Sequence, residues 1–390
     1  MDSPRGRIFQ VAQVDAGRLA VGKSFVTHID RCLDCRACET ACPSGVEYGR
    51  IVERARALIE RKYRRAWLER KLRDFFFNSL LTDFQELARW ARIVRFLQRS
   101  GLQKLARYLG TLKLLGLREV EALAPAMEDK FFFDQLGQAF PAIGEKRARV
   151  AFLAGCVASV AFAELNRATI RALQRNGVEV VVPKEQNCCG ALHAHAGFRQ
   201  QARELARQNI RAMLDPSFDA IVTNAAGCGS TMKEYYDLLA QDSEFASRAR
   251  EFSKKTKDVT EFLVDLGLRS PSRQIKSRVT YQDPCHLAHG QRIRQAPRQI
   301  LHALGCEVVE MPHSDYCCGS AGSYNLTQTE LSMKILDRKM EDVASVAPEI
   351  IATANVGCML QLRAGCMRKG LEADVKHVIE LLDETYRTEA

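Results

Sequence analysis

The amino-acid sequence has no apolar run long enough to cross a bilayer as a helix. Its longest largely apolar stretch, residues 150–163, falls well short of the roughly 20 residues that a membrane span needs. Residues 1–22 mix charged side chains with short apolar runs, so the continuous apolar core of a secretory signal peptide is missing. We therefore expect a protein of a reducing compartment, with at most a peripheral role at a membrane.

Aromatic residues are also scarce, at 7% with two tryptophans, while hydrophobic residues make up 46% and charged residues 27% of the chain. These proportions are typical of a soluble globular protein, and 390 residues are enough for two or three domains of about 100–200 residues each. The formal net charge of +10 and the pI of about 9.0 would suit nucleic acid, an anionic membrane surface or an acidic partner. Charge alone does not decide among these three.

Cysteine is absent from residues 61–144 but abundant elsewhere, with 14 in the whole chain. In a reducing cytosol, cysteines clustered at motif spacing indicate metal rather than disulfides. The cysteine-free region is basic and apolar at helical spacing, which predicts amphipathic helices. Its apolar positions include Trp67, Leu68, Leu72, Phe75, Phe76, Leu87, Trp90, Ile93, Val94 and Leu97. Its basic positions include Arg89, Arg92, Arg95, Arg99, Lys104, Arg107 and Lys113.

The first cysteine cluster consists of Cys32, Cys35, Cys38 and Cys42, and Pro43 follows it directly. This C-x2-C-x2-C-x3-C-P run is the bacterial ferredoxin pattern for a [4Fe–4S] cluster. Zinc is the competing interpretation, but zinc sites usually combine two cysteine pairs that lie far apart. In two-cluster ferredoxins the fourth cysteine ligates the other cluster, and this sequence has no second such run. Either Cys42 folds back onto the first three thiols, or a second run lies upstream.

A larger unit is repeated within residues 145–390. Its cysteine landmarks recur in the same order after about 130 positions. The landmarks are Cys156, Cys188, Cys189 and Cys228 in the first copy, and Cys285, Cys317, Cys318 and Cys358 in the second. Gly190 and Gly319 follow the adjacent pairs, so each unit has a Cys-Cys-Gly (CCG) motif. Cys306 and Cys366 have no counterparts in the first copy and are predicted to be ordinary packed thiols.

Short apolar strands alternate with helical runs in both copies. The predicted strands are 150–153, 178–182, 220–222, 278–281, 306–310 and 349–353. This alternation predicts parallel sheets flanked by helices, with ligands beyond the carboxyl ends of the strands, where the repeated cysteines lie. The predicted fold class is α+β: a helical 4Fe-4S ferredoxin-type segment and two repeated α/β CCG units with parallel sheets. The predicted domains are 1–60, 61–144, 145–270 and 271–390.

Each CCG unit offers four thiols as candidate ligands of a further iron–sulfur cluster. The glycine permits a sharp turn that lets adjacent thiols face one point. We expect Cys189 and Cys318 near helix N-termini, whose partial positive charge would lower the thiol pKa. Vicinal disulfides with thiol redox chemistry are one alternative, and purely structural cysteines are another. Histidines close to the cysteines, which are expected to hydrogen-bond sulfurs or loops rather than act as ligands, are His193, His195, His286 and His289.

The sequence resembles the iron–sulfur subunits of bacterial glycolate oxidases, which belong to the CCG-domain (heterodisulfide reductase B-like) proteins. The resemblance rests on residues 2–8, 32–49, 187–197, 224–235, 283–292, 317–328 and 357–363. It implies an electron-transfer subunit whose flavin-containing partner subunits oxidise glycolate to glyoxylate. The chain, cytoplasmic and peripherally associated with the inner face of the cytoplasmic membrane, would pass electrons to quinone or another membrane acceptor. FAD is expected in the partners, since no Gly-rich dinucleotide fingerprint follows a strand here.

The sequence departs from the family pattern at two places. Family members carry another cysteine run before the 2–8 string, so we expect that a first ferredoxin motif is missing through a misplaced start or a truncation. Heterodisulfide reductase B carries a fifth thiol at the last CCG position, which Cys228 and Cys358 lack here. A disulfide-reducing CCG enzyme is therefore a weaker alternative. A subunit of a D-lactate or other 2-hydroxy-acid dehydrogenase remains open, and no nucleic-acid partner is expected.

Overall fold

The computed structural model describes residues 1–111, 121, 124–271 and 273–387. The N-terminal part forms the helices α1 (Pro4–Asp15), α2 (Lys23–Asp30), α3 (Ala37–Thr40) and α4 (Tyr48–Lys62). Helix α1 begins where the Ser3 hydroxyl accepts a hydrogen bond from the Gly6 amide at 3.1 Å, with proline in its first turn. The apolar faces of α2 and α4 meet in a small separate core that also buries Cys32.

The cysteine-free region is helical over most of residues 67–108, as its periodicity predicts. It contains α5 (Trp67–Phe75), a π-helical turn (Phe76–Leu80), α6 (Phe84–Arg99) and α7 (Leu102–Tyr108). Asp83 caps α6 by accepting a hydrogen bond from the Gln85 amide at 2.7 Å. Lys113 falls outside the described residues, together with the rest of 112–120 and 122–123. Within the described ranges, no helix has both the length and the apolar character that a membrane crossing requires.

The first CCG unit is built on a sheet with the strand order β1-β3-β2-β4-β5. Its strands are β1 (Ala139–Phe140), β2 (Ala148–Leu153), β3 (Val178–Val181), β4 (Ala220–Thr223) and β5 (Thr256–Asp258). All neighbours pair in parallel except β1, which runs antiparallel to β3. Residues 150–153 are fully buried in succession, because helices cover both faces of the sheet.

The helices of this unit precede, connect and follow its strands. A 3-10 turn (Phe132–Gln135) leads into the sheet. The helices are α8 (Cys156–Ala161), α9 (Ala163–Arg175), α10 (Ala191–Ala196), α11 (Arg199–Met213), α12 (Ala226–Lys233), α13 (Tyr235–Leu238), α14 (Ala246–Lys255) and α15 (Val259–Leu266). Helices α8, α10 and α12 each begin shortly after a strand, which places the cysteine loops at one edge of the sheet.

The second CCG unit repeats this plan. Its strands β6 (Arg278–Tyr281), β7 (Glu307–Val308), β8 (Ile350–Thr353) and β9 (Asp374–His377) pair in parallel in the order β7-β6-β8-β9. After β6 come a π-helical turn (His286–Gly290) and the helices α16 (Gln295–Ala303), α17 (Tyr324–Thr327), α18 (Thr329–Ala344), α19 (Val356–Lys369) and α20 (Val378–Arg387). This order matches β3-β2-β4-β5, so the predicted repeat and the α+β class with parallel sheets are confirmed.

Three local predictions differ from the structure. Strands β5 and β9 are not predicted, because they are short and polar in sequence, whereas the strand predicted over 306–310 shrinks to β7. The helical run predicted between the second and third strands of the first unit is divided into α10 and α11 at Gly197, whose φ is +90°. A side chain there would place its Cβ 2.6 Å from the Arg56 carbonyl oxygen, so the break lets α4 approach closely.

The two units exchange their last helices. Helix α20 of the second unit packs on α9 of the first, and α15 of the first unit packs on α16 of the second. Arg171 donates to the Asp383 carboxylate at 2.7 Å, and the Tyr386 hydroxyl donates to the Arg269 carbonyl at 2.8 Å. The Ala226 amide, at the start of α12, donates across the units to a carbonyl just after β8. The exchange brings the cysteine edges of both sheets together.

Candidate metal centres

The first thiol set consists of Cys156, Cys188, Cys189 and Cys228, which follow three different strands. Cys156 begins α8, the adjacent pair precedes α10, and Cys228 lies in the first turn of α12. The sulfur atoms of Cys188 and Cys156 are 3.5 Å apart. Cys189 is in hydrogen-bonding contact with both Cys188 and Cys228, so the four thiols form one continuous group. The turn that places the adjacent pair depends on a glycine with φ of +80° immediately after it.

The second thiol set repeats this arrangement with Cys285, Cys317, Cys318 and Cys358. Cys317 contacts both Cys285 and Cys318, and Cys318 contacts Cys358. The Asn355 side chain donates to the Cys358 sulfur at 3.3 Å. The following glycine has φ of +93°, so the same left-handed turn is used in both units.

The N-terminal thiol set consists of Cys32, Cys35 and Cys38, on the loop between α2 and α3 and at the start of α3. Two hydrogen bonds reach the Cys32 sulfur: the Asp34 amide donates at 3.4 Å and the Tyr48 hydroxyl at 3.5 Å. Donors aimed at sulfur stabilise a bound anionic sulfur atom. The spacing of the predicted ferredoxin run thus brings its first three thiols together.

Three other cysteines stand apart from these sets. Hydrogen bonds from the backbone amides of residues 44–46, with that of Val46 foremost, lower the pKa of Cys42. Cys42 therefore turns toward its own following loop and does not fold back onto the first three thiols. Cys306 and Cys366 are buried, and burial raises the pKa of both thiols. They lie away from the three sets, in agreement with the interpretation as packed thiols.

The N-terminal set and the second set adjoin each other. The Cys285 thiol raises the pKa of Cys35 more than Cys32 of the same motif does, and Cys35 in turn contributes to the raised pKa of Cys317. His286 and the carbonyl of Asp34 are hydrogen-bonded at 2.9 Å, which fastens the ferredoxin loop to the start of the second unit. Seven of the predicted ligand thiols thus belong to one connected region, a feature that neither motif reveals alone.

The chemistry of the donor sets fits metal clusters. Burial, followed by the Cys285 thiol, raises the pKa of Cys35 to about 12, and burial with the neighbouring thiols raises that of Cys38 to about 11. Contact with Cys188, together with burial, holds the pKa of Cys156 well above its ordinary value. Crowded thiols of this kind keep their protons at neutral pH unless a metal replaces them, and soft sulfur ligands select iron–sulfur clusters, zinc or copper.

The pKa prediction for the CCG pairs is wrong. For Cys189, contact with its neighbour in the pair lowers the pKa, but contact with Cys228 and burial outweigh that effect and raise it well above the ordinary value. The same balance, with Cys358 as the raising partner, applies to Cys318. Helix α10 does begin beside Cys189, whereas residues 319–323 after Cys318 are not helical and α17 starts only at Tyr324. Crowding and burial of thiols therefore decide these pKa values, and helix ends do not.

Comparison with known proteins identifies the family to which the chain belongs. A family model described as "Cysteine-rich domain" (CCG) matches residues 150–233 and 279–363, once in each unit. A second, "Glycolate oxidase iron-sulfur subunit, linker region", matches residues 68–124. A similar protein, the "Probable glycolate oxidase iron-sulfur subunit" of Bacillus subtilis (strain 168), is 40% identical over 389 residues, covering 98% of this chain and 88% of the relative. The chain belongs to the family of glycolate oxidase iron–sulfur subunits.

Two further relatives place this family member among oxidoreductase subunits. The "Glycolate oxidase iron-sulfur subunit" of Escherichia coli (strain K12) is 33% identical, over 100% of this chain and 89% of the relative. "Lactate utilization protein A" of Oceanobacillus iheyensis is 29% identical over 60% of this chain and 96% of the relative. The chain is thus an oxidoreductase subunit whose cofactors are iron–sulfur clusters. The resemblance inferred from the motifs is confirmed, and the assignment of individual thiols as ligands stays a prediction.

The histidines of this family member join segments of the chain. His289 is hydrogen-bonded to the Thr40 hydroxyl at 3.0 Å, which links α3 to the second unit. His193 is hydrogen-bonded to the Phe77 carbonyl at 2.8 Å, and burial lowers its pKa to about 4. These contacts agree with the prediction that the histidines hold loops in place.

A buried ionic cluster connects the ferredoxin loop to the first CCG unit, and sequence reasoning missed it. The Arg36 guanidinium pairs with both carboxylate oxygens of Glu234, one at 2.9 Å, and lies 3.6 Å from Glu53. His195 lies 2.9 Å from Glu53 and 3.4 Å from Asp34. Burial opposes the charged imidazole, but hydrogen bonds to these two carboxylates outweigh it and raise the pKa of His195 to about 9. The sequence carries a signal in the charged residues between the cysteines of the ferredoxin run, but the partners of these charges lie far away along the chain.

Proposed function

We propose that this chain is the electron-transfer subunit of a glycolate oxidase (glycolate dehydrogenase) complex. It takes electrons from a flavin subunit that oxidises glycolate to glyoxylate and delivers them toward a membrane quinone. The proximity of the N-terminal thiol set to the second set carries the proposal, because a relay needs neighbouring redox centres. His286, next to Cys285, is hydrogen-bonded at 2.9 Å to the carbonyl of Asp34, which precedes Cys35. The names of the relatives support the choice of glycolate.

The proposed cluster ligands are the three thiol sets. Cys32, Cys35 and Cys38 would hold a [4Fe–4S] cluster, as their ferredoxin spacing suggests, and each set of four would hold a further iron–sulfur cluster. Iron–sulfur clusters exchange single electrons, which a flavin can supply one at a time. The protein contributes burial: Cys188 is 0% exposed and Cys318 is 1% exposed, so the sulfur atoms are shielded from water. Burial of this kind tunes the reduction potential of a cluster.

The proposed site of membrane association is an apolar surface on α5, α6 and α7. Trp67 is 67% exposed, Phe96 is 66% exposed and Tyr108 is 88% exposed. Large apolar side chains mixed with arginines suit the interface of an anionic bilayer. Of the basic residues on α6, Arg95 contacts the chain itself, because its guanidinium lies 4.9 Å from the centre of the Phe131 ring. The neighbouring exposed arginines, Arg89 and Arg92, remain candidates.

The function is tested by reducing the chain with substrate. The protein is purified and reconstituted without oxygen, mixed with the purified flavin subunits, and given glycolate or D-lactate. We expect rapid bleaching of the visible iron–sulfur absorbance with glycolate. Bleaching with D-lactate alone would favour the second candidate, to which the lactate utilization relatives point. A chain that stays empty of iron after reconstitution would contradict the proposal entirely.

Membrane association is tested with sedimenting vesicles. The double variant Trp67→Ser, Phe96→Ser should lose binding to phosphatidylglycerol vesicles, because it removes two exposed apolar anchors. The matched control Tyr316→Ser, Met367→Ser changes residues that are 56% and 72% exposed elsewhere on the molecule and should bind normally. Equal recovery of all three proteins with the vesicles would contradict the assignment of this surface.

A further inference from the structure

A cavity of about 750 Å³ opens between α4, α5 and α11. We call it the arginine cleft, because seven arginines line it. Its lining contains only three carboxylates, Glu60, Asp74 and Asp237. The iron–sulfur chemistry does not explain it, since no cysteine lines it. Its floor includes Gly197 and Phe198, at the break between α10 and α11.

The positive charge of the cleft is only partly compensated. Arg65 and Arg73 share the Glu60 carboxylate, at 3.0 and 2.8 Å. Of the remaining arginines, Arg61 and Arg70 are exposed and form no ion pair with a carboxylate in the described part of the chain. An excess of guanidinium groups therefore faces the open volume.

Two half-buried guanidinium groups show the effect of this crowding. Burial lowers the pKa of Arg203, and its neighbours Arg199 and Arg207 lower it further. Burial also lowers the pKa of Arg73, where the opposing attraction of Glu60 is offset in part by repulsion from Arg65. The Nε atom of Arg73 is buried without a hydrogen-bond acceptor among the described residues. An anionic ligand would supply both the missing acceptor and the missing charge.

We propose that the arginine cleft receives an acidic segment of the flavin-containing partner subunit, an inference that rests on the proposed function. Pockets for small organic ligands are mostly apolar and bury most of the ligand. This cleft is open along one side and lined by guanidinium groups, which suits an extended chain of carboxylates. Charge complementarity of this kind steers and orients redox partners as they meet.

The arginine cleft lies close to the first thiol set. The Arg73 guanidinium donates to the Ala196 carbonyl at 2.9 Å, at the end of α10. Helix α10 begins directly after the first CCG motif and has 6 residues. At 1.5 Å per residue, it separates the cleft from the first thiol set by about 9 Å. A partner held in the cleft therefore lies close to one of the candidate redox centres.

The test compares two charge reversals of equal size. The cleft variant Arg61→Glu, Arg70→Glu changes two exposed arginines without carboxylate partners, so the fold should be preserved. The control Arg273→Glu, Lys276→Glu makes the same change in charge at two exposed residues between α15 and β6, which do not line the cleft. Each reconstituted full-length protein is bound to immobilised flavin subunits at low and high salt, and its iron content is measured.

We expect the cleft variant to raise the Kd for the flavin subunits about tenfold or more at low salt, with unchanged iron content. The control should stay within about twofold of the wild type, and the wild-type Kd should rise with salt. Equal Kd values for both variants would overturn the proposal, because only net charge would then matter. The proposal would also be overturned if the wild type bound tripolyphosphate and the cleft variant did not, while both proteins bound the flavin subunits equally well. The cleft would then be a site for small anions. A wild type that binds no flavin subunit at any salt would instead reject the proposed function.

Discussion

Single residues determine the shape of the ferredoxin loop. Asp34 and Arg36 flank Cys35 and adopt left-handed conformations, with φ of +57° and +61°. Such conformations are strained for residues other than glycine and persist where surrounding contacts hold them. Here the contacts are ionic: Asp34 lies 3.5 Å from Arg56, and Arg36 pairs with Glu234. The charges between the cysteines therefore turn Cys35 toward the second thiol set.

Breaking the Arg36–Glu234 pair should destabilise the protein strongly. The Arg36 side chain is 4% exposed and that of Glu234 is 29% exposed, so Arg36→Met leaves a largely buried carboxylate without its partner. We expect a loss of about 3 kcal/mol in the free energy of unfolding, measured anaerobically by denaturant titration. The double variant Arg36→Met, Glu234→Met should lose less. A single variant within about 0.5 kcal/mol of the wild type would contradict this role.

The four cysteines of the ferredoxin run should differ in their importance for iron. Cys38 belongs to the N-terminal thiol set, whereas the Cys42 thiol faces the amides of its own loop. Cys38→Ser should lower the iron content of the reconstituted chain by about four atoms, the content of one cluster. Cys42→Ser should leave the iron content within about one atom of the wild type. Iron analysis checks both, and equal losses would show that Cys42 joins the set after all.

The sequence reveals the thiols but not what orients them. Spacing alone identifies Cys32, Cys35 and Cys38, because a short loop must bring them together. It cannot identify His195 or Glu53 as neighbours of that loop, since ion pairs between distant segments leave no local pattern. The hydrogen bond between His286 and the Asp34 carbonyl, which places Cys35 beside the second thiol set, also joins distant segments and leaves no pattern in the motifs.

At the scale of elements, apolar runs predict strands well and polar strands poorly. The strand predicted over 278–281 coincides with β6, because Val279 and Tyr281 belong to a buried core. Strand β9 alternates buried with exposed or half-buried positions and carries Asp374 and Lys376, so its sequence resembles a loop. The internal repeat compensates for this weakness, because equivalent strands occupy equivalent places in both sheets.

Strand β9 ends in a histidine that should make stability depend on pH. His377 is buried, accepts a hydrogen bond from the Ile379 amide and donates to the Asn224 carbonyl, so both ring nitrogens are used in the neutral form. Burial lowers its pKa to about 4, below the value of about 6.5 in an unfolded chain. Stability from this group is therefore present above pH 6.5 and is lost as pH falls toward 4, with a loss of about 2 kcal/mol by pH 5.

Denaturant titrations between pH 7 and pH 5 check this prediction. His377→Gln should show a shallower decline in the free energy of unfolding than the wild type. His302→Gln removes an exposed histidine on α16 and should decline as the wild type does. The comparison uses slopes, so a general destabilisation of His377→Gln does not obscure it. Identical slopes in all three proteins would show that His377 has no part in the pH dependence.

At the scale of the whole molecule, one short helix, α5, contributes residues to both the arginine cleft and the proposed membrane surface. Helix α5 turns Arg70 and Arg73 toward the arginine cleft, while Trp67, Leu68 and Leu72 remain exposed on it. The proposed partner site and the proposed membrane site are therefore neighbours on one element. A complex built in this way would keep the flavin partner beside the membrane that receives the electrons.

The exchanged helices predict that neither CCG unit folds independently. Helix α9 of the first unit packs against α20 of the second. The Asp383 side chain, which forms an ion pair with Arg171, is 4% exposed. A fragment of residues 145–270 alone would expose this apolar face and leave a buried ion pair unmade. We expect no cooperative thermal transition in circular dichroism for either 145–270 or 271–390, and recovery of a transition when the two are mixed. Because α15 and α20 must cross between units, the intact chain should unfold in one step through both units, and an independently folded fragment would contradict this interlocked architecture.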